Sequence, residues 1–172
     1  MGAPHRIWVL GTSGSGKSEL ASRVARRLGV PHVELDAIMH QAGWVEASDD
    51  EFQRGVRAAT AGESWVVDGN YPLARDVAFD RATGVVWLDY ARPLVMRRVV
   101  WRSGSRWVTR RELWNGNRER ARDWLSPEHP IRWAWDTHEN LSRRYAQELD
   151  ARWIRLCSPR EASDWLAHAF ED

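Results

Sequence analysis

Short apolar runs alternate with longer amphipathic stretches along the chain. Ile7-Trp8-Val9-Leu10 is four apolar residues ending at a glycine, the pattern of a strand buried on both faces. Lys17 to Leu28 reads as a helix, stopped by Gly29 and then Pro31. His32-Val33-Glu34-Leu35-Asp36 predicts a second strand. Ser48-Asp49-Asp50-Glu51 has the spacing of a capping box and predicts a helix whose inner face carries Phe52, Val56 and Ala59. Trp65-Val66-Val67-Asp68 is a third strand, followed by Gly69-Asn70. Gly84 to Asp89 is a fourth, and Pro93 opens a helix to about Trp101. Residues 103 to 135 have weak periodicity and read as short helices or a flap. Asp136-Thr137-His138-Glu139 has capping-box spacing again and predicts a helix to about Leu149. Trp153 to Cys157 is a fifth strand, and Ser158-Pro159-Arg160-Glu161 starts the last helix.

Strands that alternate with helices predict an α/β fold with a parallel sheet and helices on both faces. Ligands of such sheets bind at the carboxyl ends of the strands. Asp36, Asp68 and Asp89 all fall at predicted strand ends.

Composition changes the picture in four places. A chain of 172 residues with 43% hydrophobic residues suits one domain with a real core. One cysteine, Cys157, rules out an internal disulfide and fits a reducing compartment; at the end of an apolar run it is expected to be a packed core thiol. The start, Met1 to Arg6, leads into only four apolar residues, and no apolar run approaches the ~18 needed to span a bilayer, so a soluble cytoplasmic protein is expected. Net charge is +1, yet Arg92 to Arg122 holds ten arginines against two acids, about +8 for that stretch.

The fragment Gly11-Thr12-Ser13-Gly14-Ser15-Gly16-Lys17-Ser18 satisfies G-x-x-x-x-G-K-[ST] between a predicted strand and a predicted helix. Its glycines let successive N–H groups point inward as an anion nest, and the helix N-terminus adds its positive end. Lys17 would reach the β- and γ-phosphates of ATP, and the Ser18 hydroxyl would ligate Mg²⁺. The basic residues comprise twenty-four arginines and one lysine, and the lysine is Lys17. A compact ammonium fits inside a loop wrapped around phosphate, where a planar guanidinium is too wide.

Gly-Ser-Gly-Lys-Ser at 14–18, Leu35-Asp36-Ala37, Gly43-Trp44, Trp65 through Tyr71, Val86 through Asp89, Ile131 through Trp135 and Ser158 through Glu161 together resemble the bacterial adenylate-kinase-related proteins often labelled DNA topology modulation proteins. The arrangement is similar more broadly to nucleoside monophosphate kinases and shikimate kinase. The resemblance implies one P-loop kinase domain over 1–172, a five-stranded sheet in order 2-3-1-4-5, and an Arg/Trp-rich lid at about 103–135. It implies that Asp68, followed by Gly69, holds Mg²⁺ with Ser18. Asp36 would contact the acceptor, Arg102 and Arg106 would clamp ATP from the lid, and Arg160 would lie beside the adenine. Asn70 and Tyr71 join Asp36, Trp44, Asp68 and Gly69 on the acceptor side. The chain departs from the pattern at Glu19, where a hydroxyl residue is usual, and at Asn70-Tyr71-Pro72, which replaces the Phe-Pro-Arg of true adenylate kinases and removes an arginine for an acceptor phosphate.

The expected function is transfer of the γ-phosphate of ATP to a small nucleotide, nucleoside or hydroxylated metabolite, by a monomer or homodimer. The competing readings are a regulatory ATPase or a nucleic-acid-associated P-loop protein. A GTPase needs Asn-Lys-x-Asp, which a chain with one lysine at position 17 lacks. Net charge near zero argues against a large nucleic-acid footprint. Trp8, Trp65, Trp87 and Trp153 are expected in the core. Trp101, Trp107, Trp114, Trp124, Trp133 and Trp135, which interleave with the lid arginines, form the flap's own small core or stack on a base, sugar or aromatic acceptor, with core packing expected for most of them. His40 and His138 have no partners assignable from sequence.

Overall fold

The computed structural model describes residues 5–109, 112–117, 126 and 129–170. In chain order the elements are β1 (Arg6–Gly11), α1 (Lys17–Leu28), β2 (His32–Glu34), α2 (Leu35–Met39), α3 (Asp49–Ala59), β3 (Trp65–Asp68), α4 (Pro72–Ala78), β4 (Gly84–Leu88), α5 (Arg92–Thr109), α6 (Pro130–Glu148), β5 (Trp153–Leu156) and α7 (Pro159–His168). Single 3₁₀ turns lie at Ala42–Trp44, Phe79–Arg81 and Trp114–Gly116. All strand pairs are parallel, in the expected order β2-β3-β1-β4-β5.

Two-residue alternation sorts the strands' side chains into two layers. Ile7, Val9, Val66, Val86 and Leu88 pack on one face with Leu20 and Val24 of α1, Val95 and Val99 of α5, and Leu166 of α7. Trp8, Leu10, Trp65, Val67, Val85 and Trp87 pack on the other with Phe52 and Val56 of α3, Ala74 of α4 and Tyr145 of α6. The central strand β1 is apolar on both faces because helices cover both. Trp8 is fully buried and its indole Nε1 donates to the Gly69 carbonyl at 3.0 Å, which ties the core to the turn after β3.

Several elements differ from the sequence reading. β2 ends at Glu34, and Leu35 to Met39 turn as a helix, so Asp36 lies in the first turn of α2 and not at a strand end. Leu35 and Met39, four apart, are both buried, which is helical spacing. Helix α4 was not foreseen; Pro72 is its first residue and Ala74 and Ala78 its buried stripe. Helix α5 continues eight residues past Trp101, because Val95, Val99 and Ser103 keep one buried stripe at four-residue spacing. Helix α6 begins at Pro130, where the His129 side chain accepts from Ile131 N at 3.3 Å; Asp136 is an interior residue bonded to Arg132 at 2.6 Å and caps nothing. Both serine caps are as expected: Ser48 with Glu51, and Ser158 with Glu161.

The expected flap therefore begins as a continuation of α5. Residues 110–111, 118–125 and 127–128, with Trp124 and five of the arginines, lie outside the described residues. Trp101, Trp107 and Trp135 are 75%, 51% and 54% exposed and are not core. Trp101 is two residues from Val99 and so falls on the opposite side of the helix. Cys157 is exposed, correcting the core assignment; it follows edge strand β5, whose Ile154 and Arg155 are also exposed. Asp89 is bonded by Arg155 at 2.5 Å and by Ser142 at 3.0 Å, so it staples β4 to β5 and α6. No described helix is long and apolar enough to cross a membrane.

Replacing Trp8 by Phe keeps an aromatic in the core but leaves the Gly69 carbonyl without its donor. The expected cost is about 1–3 kcal/mol in urea unfolding. An unchanged midpoint would mean that the indole bond does not hold the turn.

Candidate functional site

The site lies where β1, β3 and β2 end. Between β1 and α1 the chain makes a tight loop, with Ser15 N bonded to Thr12 O at 3.0 Å. Gly14 and Gly16 have φ of 88° and 94°, the left-handed region that glycine tolerates. At Gly14 a Cβ would also stand 2.7 Å from the Val95 carbonyl oxygen, so α5 presses directly on the loop. Helix α1 starts at Lys17 with no side-chain cap, which leaves its first N–H groups for a ligand. The Ser15 Oγ is buried without a partner among the described residues. An uncapped helix start and an orphaned hydroxyl, wrapped by left-handed glycines, fit a polyphosphate.

Three neighbours hold this loop. Asn70 accepts from Gly11 N at 3.3 Å and donates to Gly11 O at 2.8 Å, so its amide fastens the loop's first residue. Arg102 donates to Ser13 Oγ at 2.9 Å, and Arg98 donates to Ser15 O at 3.2 Å. Arg106 follows Arg102 one turn later on α5 and is half-buried. Sequence reasoning named Arg102 and missed Arg98. Arg160 is 89% exposed on α7, and among the described residues its contact is Asp164 at 3.7 Å. Glu19 is exposed in the first turn of α1, where the helix dipole stabilises an acid.

Asp68 ends β3 and is 2% exposed. Its Oδ1 accepts from Ser18 Oγ at 3.1 Å and its Oδ2 lies 2.6 Å from His32 Nε2. An octahedral Mg²⁺ with ligands at about 2.1 Å places adjacent oxygens about 3 Å apart, so the Ser18 and Asp68 oxygens fit such an ion. Among the described residues no cluster of three or more His, Cys, Asp or Glu side chains is built for a metal, so an ion here would depend on the nucleotide and water for its other ligands.

A second group of side chains lies beyond β2. Tyr71 donates to Asp36 Oδ1 at 2.8 Å, and its oxygen is 3.4 Å from His40 Nε2. Burial first, and then Asp36, Glu46 and Asp68, raise the Tyr71 pKa, so the phenol stays protonated. The His40 ring centre lies 5.5 Å from that of Trp44 and 6.3 Å from that of Trp114, and Trp114 Nε1 donates to Glu34 Oε2 at 2.9 Å. The stretch after α5 is fastened here. Asn117, 4% exposed, accepts from Trp44 N at 3.0 Å and donates to Gln41 O at 2.8 Å, while Asn115 donates to His40 O at 2.6 Å. Trp44 is 40% exposed with φ of 62°. The structure thus brings Asp36, Trp44 and Tyr71 together and adds Glu34, His40, Trp114, Asn115 and Asn117. Single polar residues in an aperiodic stretch carry no pattern that would have singled these out.

No family model matches the chain, and no curated protein does. Solved structures do. A shikimate kinase from Acinetobacter baumannii, in complex with shikimate, matches with a TM-score of 0.59 at 16% identity, covering 96% of this chain and 90% of that one. A shikimate kinase from Bacteroides thetaiotaomicron matches with a TM-score of 0.58 at 15% identity, covering 96% of each chain. A gluconokinase from Sinorhizobium meliloti 1021 matches at 0.55 and 19% identity, covering 98% of this chain and 95% of that one. At these identities the chain shares the P-loop kinase fold with them.

Asn117→Ala removes both of that side chain's bonds to the 41–44 turn. Hydrogen exchange of the amides at 41–47 is expected to rise at least tenfold, with that of α1 unchanged. Equal protection in both proteins would mean that Asn117 does not hold the turn.

Proposed function

We propose that this protein is an ATP-dependent phosphotransferase that moves the γ-phosphate of ATP to a hydroxyl of a small acceptor. The observation that carries this reading is the pair of separately held acids beside one phosphate loop. Asp68 is bonded to the loop's own serine, the place of a metal ligand. The Asp36 carboxylate is bonded by the Tyr71 hydroxyl and belongs to a second cluster of side chains.

The loop's N–H groups and Lys17 hold the β- and γ-phosphates, and Ser18 and Asp68 hold Mg²⁺, which neutralises charge on the phosphates when bound. Arg98 and Arg102, already bonded to the loop, bring positive charge from α5, with Arg106 one turn further along. Asp36 takes the proton of the attacking hydroxyl, oriented by the Tyr71 O–H. The acceptor oxygen forms a bond to the γ-phosphorus. The bond from that phosphorus to the β–γ bridging oxygen breaks, and its electron pair leaves on ADP. The turn at 41–44, bonded by Asn117, and His40, bonded by Asn115, close the acceptor side against water, which would otherwise compete with the acceptor.

The solved neighbours support the reading as P-loop kinases of the same fold. The resemblance to adenylate-kinase-related proteins points to the same chemistry with a different acceptor.

Lys17→Arg is expected to weaken ATP binding at least ~100-fold, which at 1.4 kcal/mol per tenfold corresponds to about 3 kcal/mol. Circular dichroism and thermal midpoint should stay those of the parent. Titration of both proteins with an ATP analogue and Mg²⁺ measures this; near-normal affinity would remove the assigned role of the lysine.

A further inference from the structure

Among the described residues, the two halves of the site carry opposite charge. The phosphate half holds Lys17, the start of α1, and Arg98 and Arg102 bonded to the loop. The other half holds Glu34, Asp36 and, at the edge it shares with the loop, Asp68, interleaved with Tyr71, His40, Trp44 and Trp114. The negative field there is felt by Tyr71, whose phenol is driven toward its protonated form by Asp36, Glu46 and Asp68 in addition to burial.

Carboxylates accept hydrogen bonds and donate none. A group of them recognises a molecule rich in O–H donors. An acceptor bearing its own phosphate or carboxylate would place a like charge among them in a partly desolvated pocket, where repulsion is strong. The aromatic members supply the other half of a recognition surface. The indole of Trp44 is 40% exposed beside His40, and Trp114 is held in place by its bond to Glu34. Flat ring faces pack against the C–H face of a sugar or cyclitol, or against a base.

We propose that the phosphate acceptor is an uncharged polyhydroxylated ring compound, bound through its hydroxyls by Asp36, Glu34 and Tyr71 and through its ring face by Trp44 and Trp114. This rests on the phosphotransfer reading above. In the transfer, one acceptor hydroxyl gives its proton to Asp36 and its oxygen to the γ-phosphorus, and the products are ADP and a phosphate monoester. Because the product is itself anionic, the same carboxylates favour its release.

The test uses pairs of a neutral compound and an anionic relative: adenosine with AMP, D-glucose with glucose 6-phosphate, and D-glucose with D-glucuronate. The full chain with ATP and Mg²⁺ is assayed for acceptor-dependent ADP release. The proposal expects at least one neutral member to be turned over with kcat/KM at least 100-fold above its charged partner. Turnover of adenosine alone identifies a nucleoside and turnover of glucose alone a sugar, and each supports the shared chemistry. A charged member turned over better than its neutral partner overturns the proposal and leaves the phosphotransfer reading standing. No turnover with any compound, while ATP still binds, overturns both.

For an active neutral acceptor, Trp44→Ala is expected to raise its KM at least tenfold, with kcat within threefold and the KM for ATP unchanged, and Trp44→Phe to restore it. Glu34→Gln is expected to narrow the neutral-to-charged discrimination at least tenfold. Unchanged discrimination in Glu34→Gln together with unchanged KM in Trp44→Ala would overturn the assignment of the pocket.

Discussion

A loop that binds phosphate through main-chain N–H groups must leave those groups unpaired and still hold its shape. It gains no rigidity from a hydrogen-bond ladder of its own, so its neighbours must supply it. Here β1, buried on both faces, delivers the chain to Gly11, and the Asn70 amide clamps that residue by both of its main-chain groups. The Val95–Val99 turn of α5 lies against Gly14 so closely that a methyl group would not fit. Arg98 and Arg102 bond the loop from the same helix. Much of the molecule around the loop serves that one constraint: the parallel sheet places β1 at its centre, and helix α5 is long enough to carry both the packing residues and the arginines.

The same helix touches one end of the site, and the stretch 112–117 touches the other. Its first three turns press on the phosphate loop, and the stretch after it, through Trp114, Asn115 and Asn117, is bonded to Glu34 and to the turn at 41–44. The charges follow this division. Among the described residues, Arg98 and Arg102 stand on the loop side and Glu34 and Asp36 on the other; in the proposed transfer, negative charge would develop on the first side and a hydroxyl would lose its proton on the second. Asp68 stands at the boundary, bonded to Ser18 on one side and His32 on the other.

What could be read from the chain followed from periodicity and spacing. The buried strands, the capped helices α3 and α7, the phosphate loop and the sheet order were all legible, the order through the likeness to P-loop kinases. The failures have specific physical causes. Leu35-Asp36 continues the polar–apolar alternation of His32-Val33-Glu34, which suits a strand, and only the burial of both Leu35 and Met39 shows that the chain turns there. Pro93 marks where α5 starts, but nothing local marks its end, because the stripe of Val95, Val99 and Ser103 includes a serine that reads as polar. The tryptophans misled because hydrophobicity does not say which side of a helix is buried; Trp101 and Trp107 are 75% and 51% exposed. His32, His40 and Glu34 were missed because their roles come from residues 31 to 80 positions away.

The central claim is that the γ-phosphate passes to a hydroxyl of a second molecule and not to water. The most direct measurement follows ATP labelled in its γ-phosphate through a single turnover with a neutral polyol or nucleoside present in excess. The structure-based account predicts that the label appears in an organic phosphate ester, one per ADP formed, with little inorganic phosphate. Label released only as inorganic phosphate, at a rate that the acceptor does not change, would contradict it and make the protein a nucleotide hydrolase.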